Sequence, residues 1–295
     1  MKIEKLLFPT RFRELAFDSL QSLLVLKDAG LKEIVFCYII PREDVGFVPY
    51  GGYLKEEEER VREEARIRFE DWQKVLSEKG IGSKIVIEVG SIVPGILSIA
   101  ERERVDMLVV GRKKKVGLEM SFAGSHTLQL IMRSKIPTLV SKYMVEFQWN
   151  GETATRVNAD IFRRPLLATD WSEPSIRTLE FLTNLKTLIE KVFICHIIGV
   201  KISKGLDKME LLRIEKESKE RLKDYCKRLK SAGIPAEPHL GAGKILLEIL
   251  RLSRDLHASM IIMGTTGKDR LHEIWLGSIS HRVAEGSELP TLLVP

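Results

Sequence analysis

Short unbroken apolar runs alternate along this chain with longer stretches in which apolar positions recur every three or four residues. The runs at 6–8, 34–40, 83–89, 106–110 and 138–142 read as strands buried on both faces. The stretches at about 14–28, 55–79 and 94–103 read as helices. In the longest of them Val61, Ala65, Phe69, Trp72 and Leu76 fall on one stripe. The succession then starts again. Strands are expected at 166–168, 192–198, 235–240, 259–263 and 291–294, with helices at about 174–188, 209–232 and 244–256. Buried strands separated by helices predict parallel sheets covered on both sides. Right-handed crossovers narrow this to doubly wound, Rossmann-like α/β domains.

The two successions are copies of one another. Leu7-Phe8-Pro9-Thr10-Arg11-Phe12-Arg13-Glu14 aligns with Leu166-Leu167-Ala168-Thr169-Asp170-Trp171-Ser172-Glu173 when Leu7 is set on Leu166. Ile34–Ile40 aligns with Val192–Ile198, Gly111 with Gly264, Gly124-Ser125 with Gly277-Ser278, and Ile136-Pro137-Thr138-Leu139 with Leu289-Pro290-Thr291-Leu292. The shrinking offset puts extra residues in the first copy, most of them in the loop 41–53. Two homologous domains follow, 1–143 and 161–295. Residues 144–160 between them carry turn residues and no clear period, so they read as a linker or strap. Phe147, Trp149 and Phe162 predict that this segment packs against something.

Composition changes this picture little. A chain of 295 residues with a net charge of +6 and mixed Lys/Arg and Asp/Glu is a globular protein with room for two cores. No aromatic-interleaved basic motif supports nucleic-acid binding. No apolar run nears the ~20 residues of a membrane span, and the first residues do not form a signal peptide. Three cysteines without a CxxC fit a reducing cytoplasm. The histidines lack metal-ligand spacing, so no protein-held metal is expected. No catalytic base, arginine finger or nucleophile elbow stands out, and no catalytic residue is assigned.

Candidate chemistry gathers in the second copy. The apolar run ending at Met263 leads into Gly264, a second glycine at Gly267, and then Gly277-Ser278 before a helix. Glycines let backbone N–H groups approach a ligand closely, and a helix start favours an anion. In a doubly wound sheet a ligand sits beyond the carboxyl ends of the strands where the winding reverses. The spacing Gly-x2-Gly-x9-Gly-Ser resembles the nucleotide-binding signature of the universal stress protein family, in its ATP-binding branch. The resemblance covers most of 161–295 and includes Thr169-Asp170-Trp171-Ser172-Glu173. It implies strand order 3-2-1-4-5 in each domain, pairing of the two domains through their last strands, and a stress-response sensor or regulator that binds ATP, with Mg²⁺ or Mn²⁺ accompanying the nucleotide. It also implies a site lined by Asp170, Ile197, Gly264, Gly267, Gly277 and Ser278. The convergence of strands one and four adds Ala168, Thr169 and Met263, and the loop and helix start add Lys268, Ile279 and Ser280. In this reading Asp170 accepts from ribose or adenine, the backbone at Ile197 reads the adenine edge, and Gly264 with the amides after Gly277 holds phosphates. Lys268 neutralises them, and the hydroxyls of Ser278 and Ser280 donate. The same Asp170-Trp171-Ser172-Glu173 stretch also reads as a helix cap, and Gly264 and Gly277 also read as turn glycines.

The first copy lacks part of the signature. Arg11 stands where Asp170 stands, and Lys114 where Gly267 stands. This half is expected not to bind ATP in the family manner, and to serve as a scaffold or to hold another anion near Arg11 and Lys114. Two other functions remain for the whole chain. One is an adenylating or slowly ATP-hydrolysing enzyme of the adenine-nucleotide α-hydrolase type, although no SGGxDS-like loop is present. The other is a nucleotide-free interaction scaffold. Association of chains into homo-oligomers is left open.

Overall fold

The computed structural model describes residues 2–13, 15–47, 52–111, 124–149, 152–200, 207–265 and 278–295. The first half contains β1 (Lys5–Pro9), α1 (Ala16–Gln21), β2 (Glu33–Pro41), α2 (Arg42–Val45), β3 (Gly46–Phe47) and β4 (Gly52–Tyr53). It continues with α3 (Lys55–Glu78), β5 (Gly82–Gly90), α4 (Ile92–Arg102), β6 (Met107–Gly111), α5 (Ser125–Arg133) and β7 (Thr138–Ser141). After β8 (Met144–Trp149) and β9 (Glu152–Val157) the second half follows: β10 (Pro165–Ala168), α6 (Glu173–Asn184), β11 (Val192–Gly199), α7 (Lys208–Ser231) and β12 (Ala236–Gly243). It ends with α8 (Ile245–Asp255), β13 (Met260–Gly264), α9 (Ser278–Gly286) and β14 (Thr291–Val294).

Ten of these strands form one sheet in the order β12-β11-β10-β13-β14-β7-β6-β1-β2-β5. Each half contributes five parallel strands in its own order 3-2-1-4-5. The halves join where β14 runs antiparallel to β7, with Leu292 opposite Leu139. The last strands therefore pair within one chain, as the family resemblance implied, and neither is left as an open edge. Successive strand residues point to opposite faces. Leu6, Phe36, Leu167 and Ile194 pack with residues of α1, α3, α6 and α7 on one side, including Phe69 and Leu222. Leu7, Val35, Leu166 and Cys195 pack on the other side with α4, α5 and the counterparts of these helices in the second half. Burial pushes the thiols of Cys37 and Cys195 up to about 12, so both behave as small apolar side chains rather than nucleophiles.

Three segments differ from the sequence expectation, each for a local reason. The helix expected at 14–28 breaks into α1 and a 3₁₀ helix at Leu24–Ala29. Its N-cap is Leu15, which has a φ of 62° and no side-chain cap hydrogen bond. In the second half Ser172 caps α6 by accepting from Ser175 N, and Pro174 occupies the first turn. Arg13 and Leu15 take those two places in the first half, so neither device is present there. Replacing Ser172 by alanine is expected to cost about 1 kcal/mol, read as a lower urea midpoint with unchanged m. The loop 41–53 contains the short α2 and the two-stranded β3–β4 pairing.

The segment 144–160 is likewise ordered into a β8–β9 hairpin with six paired positions, Met144↔Val157 to Trp149↔Glu152. Its return strand is pinned to the second half. Asn158 donates its amide to the carbonyls of Lys142 (2.7 Å) and Glu288 (3.1 Å), and Arg156 donates to the carbonyl of Ala258 (2.9 Å). Lys142 is fully buried and donates to the carbonyl of Ser287 at 2.7 Å. The segment is a strap held by buried polar contacts, and Phe162, just beyond it, is buried.

At the edge strand β12, His239 packs against the Phe193 ring and lies 3.3 Å from Glu237 Oε1, with Lys191 on the far side of Glu237. Burial lowers its pKa from the ordinary 6.5, against the pull of Glu237. The unfolded chain therefore takes up this proton at a higher pH than the folded one. The contribution of His239 to stability is full above 6.5 and is lost as pH falls through 6.5 towards the folded value. Urea midpoints at pH 7.5 and 5.5 should show a decline that His239→Gln reduces.

Candidate functional site

In the second half the winding reverses between β10 and β13. The register sets Ala168 beside Met263 on one side and beside Cys195 on the other. Residues 169–170 and 264–265 therefore leave adjacent parallel strands at the same level. Two segments about 94 residues apart in sequence meet at one crevice, as expected for a sheet of this winding.

Each wall of the crevice is held by named bonds. Thr169 N donates to Cys195 O at 2.9 Å, which continues the ladder by one step. Its hydroxyl oxygen lies 3.1 Å from Trp171 N and 2.6 Å from Ser175 Oγ, and its carbonyl lies 2.8 Å from His196 Nδ1. Asp170 Oδ1 accepts from Ser172 N (3.0 Å) and Ser172 Oγ (2.6 Å). The carboxylate is thus oriented by the residue that also caps α6. The helix-cap reading of Asp170-Trp171-Ser172-Glu173 therefore holds, with Ser172 as the cap and Asp170 bonded to it. The turn itself requires a left-handed residue, and Trp171 supplies it with a φ of 66°.

Ile197 sits near the carboxyl end of β11. Because Cys195 O faces β10, the alternation of strand peptides turns the peptide groups of Ile197 to the same side, beyond the point where β10 has ended. A backbone edge with one donor and one acceptor consequently faces the crevice. The Ile197 side chain is buried against Gly241, where an added Cβ would lie 2.8 Å from Ile197 Cδ1.

Gly264 admits the start of α6. A Cβ built there would lie 2.8 Å from Pro174 Cβ, 2.9 Å from Ser175 N and 3.0 Å from Pro174 C. Its packing reason is therefore close approach to a helix start, rather than a positive φ. Thr265 N donates to Val294 O, and the buried Ser280 donates its hydroxyl to Thr265 O at 2.9 Å. That bond ties α9 to the strand end and commits the Ser280 proton, which the sequence reading had directed at a phosphate. Ile279 is half-buried in the first turn of α9, and Ser278 opens that helix. Gly267, Lys268, Gly277 and the Ser278 side chain lie outside the described residues, as does Lys114 of the expectations above.

One feature of the site was missed in the sequence. The left-handed Trp171 packs at a tilt on His196 (4.7 Å between ring centres), meets Tyr225 edge-on (5.1 Å), and lies under the Arg221 guanidinium at 5.8 Å. Burial raises the Tyr225 hydroxyl, which hydrogen-bonds Thr169. The first half repeats this cluster. Phe12 has a φ of 51°, stacks on Tyr38 (5.6 Å), meets Trp72 edge-on (5.4 Å) and lies under Arg68 at 5.3 Å. α3 and α7 each span 24 residues, and they begin 153 positions apart, which sets Arg68 on Arg221 and Trp72 on Tyr225. Aligning the two long helices at that offset reveals the pattern.

In the first half Thr10 N donates to Cys37 O at 2.9 Å, and Phe12 N donates to Thr10 Oγ1, so the turn after strand one is conserved in geometry between the halves. The chemistry differs. Arg11 pairs with Asp44 at 3.4 Å, with both side chains exposed, and this partner answers the charge that the sequence reading had offered to an anion. Gly111, the counterpart of Gly264, would place a Cβ more than 4 Å from any described atom. Among the described residues no helix start crowds Gly111 as that of α6 crowds Gly264.

These features define a tandem, doubly wound α/β protein whose second half keeps a furnished switch-point crevice. A sequence model described as the universal stress protein family matches residues 2–142 and 162–295, and the chain belongs to that family. Universal stress protein MJ0577 of Methanocaldococcus jannaschii is 29% identical over 153 residues, which is 47% of this chain and 94% of the relative. Universal stress protein MJ0531 of the same organism is 28% identical over 145 residues, 47% of this chain and 85% of the relative. Among solved structures, a universal stress protein from Archaeoglobus fulgidus DSM 4304 superimposes over 100% of this chain and 99% of its own, with a TM-score of 0.72 at 21% identity. At that identity the likeness speaks for the two-half fold alone. No helix among the described residues is long and apolar enough to cross a membrane. Nor does any group of three or more His, Cys, Asp or Glu there form a metal site.

Proposed function

We propose that this chain binds ATP in the crevice of its second half, with Mg²⁺ or Mn²⁺ carried by the nucleotide, and acts as a nucleotide-dependent regulator in the cytoplasm rather than as a turnover enzyme. The observation that carries the reading is the shared level of Thr169-Asp170 and Gly264-Thr265 beside a backbone edge at Ile197. One donor and one acceptor on a peptide edge match the amino and ring-nitrogen edge of adenine. An oriented carboxylate is an acceptor for ribose hydroxyls. The start of α9 and the glycine-rich sequence before it supply amides for phosphate. No residue is assigned to catalysis.

Equilibrium dialysis with Mg²⁺-ATP tests this. Asp170→Ala should weaken binding about tenfold or more, since a hydrogen bond to a charged group is worth ~1.5–3 kcal/mol. Arg11→Ala should leave it unchanged. Steady release of phosphate or AMP would support an enzyme of the α-hydrolase type instead. No saturable binding of any nucleotide would support the scaffold.

A further inference from the structure

The duplicated aromatic cluster is open in the first half. There, the loss of the Ser172-type cap and of the proline in the first helical turn lets α1 begin late, at Ala16, after a second left-handed residue at Leu15. A cleft of about 270 Å³ lies between this connector, which follows the end of β1, and α3. Its lining includes Phe12, Phe17, Trp72, Arg13 and Arg68. Phe17 and Trp72 lie 5.5 Å apart. Neither Arg13 nor Arg68 forms an ion pair among the described residues, although carboxylates are abundant on α3. Of the acidic residues at the cleft, Asp71 is held by Lys74 at 2.9 Å, which leaves Asp18 as an acceptor.

We infer that this cleft is a second binding site, for a small planar aromatic carboxylate. Two observations choose that chemistry. Three aromatic residues, Phe12, Phe17 and Trp72, lie together at the cleft, where a flat ring can stack. Arg13 and Arg68, which have no carboxylate partner among the described residues, also line the cleft, and a guanidinium matches a carboxylate with two parallel hydrogen bonds. The volume limits the occupant to one or two fused rings, below the usual size of a nucleotide pocket. Asp18 suits a ring N–H. In the second half Ser172, Pro174 and Ile176 replace Arg13, Leu15 and Phe17. That half therefore keeps Arg221 over Trp171 but lacks the second cation and the third ring. The inference does not depend on ATP binding in the other half.

Calorimetric titration of the full chain with indole-3-carboxylate is the test. We expect saturable binding at one site per chain with a Kd of about 0.1–1 mM, ordinary for a ligand of this size. Arg68→Gln, on an exposed side chain that the fold does not need, should weaken it about tenfold. Ala16→Phe should fill the cleft and abolish it, and Arg221→Gln in the second half should leave it unchanged. Indole, which lacks the carboxylate, should bind about tenfold more weakly than the acid. The inference is overturned by an absence of saturable binding, by equal affinity for indole and the acid, by wild-type affinity in Arg68→Gln, or by loss in Arg221→Gln alone.

Discussion

Gly264→Ala should destabilise the protein by about 1–3 kcal/mol, whereas Gly111→Ala, at the matching position of the first half, should be neutral or stabilising by up to ~1 kcal/mol. At Gly264 the added Cβ would come within 3.0 Å of backbone atoms of Pro174 and Ser175. Backbone at the start of a helix cannot rotate away as a flexible side chain can, so α6 must move. That helix start carries Ser172, which orients Asp170, so the same substitution should also weaken nucleotide binding. At Gly111 the Cβ meets nothing described within 4 Å, and the remaining effect is the reduced freedom of the unfolded chain. Urea unfolding of both variants reads the opposite signs directly. Equal costs at the two positions would mean that α6 does not press on the end of β13.

Arg254→Leu should be the costlier change, at about 3–5 kcal/mol, or a fall in Tm on the order of 6–15 °C. Arg254 meets Glu288 through two hydrogen bonds, 2.7 Å from Nε to Oε1 and 3.0 Å from Nη2 to Oε2. The Glu288 side chain is 1% exposed, so removing its partner strands a charge in a dry site. Arg156 is partly buried, its pKa lowered by desolvation, and the Glu288 charge supports it. It should relieve part of the loss and place Arg254→Leu near the lower figure, with Arg254→Leu/Arg156→Leu near the upper. Because Asn158 and Lys142 bond to the carbonyls of Glu288 and Ser287, the damage should reach the strap and the joint between the halves. A loss under about 1 kcal/mol would place this pair with the surface bridges along α3, such as Arg60–Glu64, which contribute little.

Much of this architecture was readable before any coordinates. Continuous apolar runs between amphipathic helices specified parallel strands, and the repeat specified two of everything. The crevice followed from winding alone, because strands one and four must adjoin wherever the order is 3-2-1-4-5. What could not be read depends on contacts between distant segments. The late start of α1 comes from the absence of a cap at Arg13 together with a left-handed Leu15, and apolar periodicity is blind to both. The strap looked featureless because its order derives from Asn158 and Arg156 bonding to carbonyls of the second half. Gly264 drew notice as a phosphate-loop glycine, yet its measurable constraint is the backbone of α6. The paired Phe12–Arg68 and Trp171–Arg221 clusters were legible in principle, since the repeat that aligned the strands also aligns α3 with α7.

The most direct trial of the central claim is a crystal structure of the full chain grown with Mg²⁺-ATP. The account predicts one nucleotide per chain, in the second half, with adenine on the peptide edge at Ile197, ribose at Asp170 and phosphates towards the start of α9. A nucleotide bound instead in the first half, or a crevice between β10 and β13 that stays empty at saturating ATP, would contradict it.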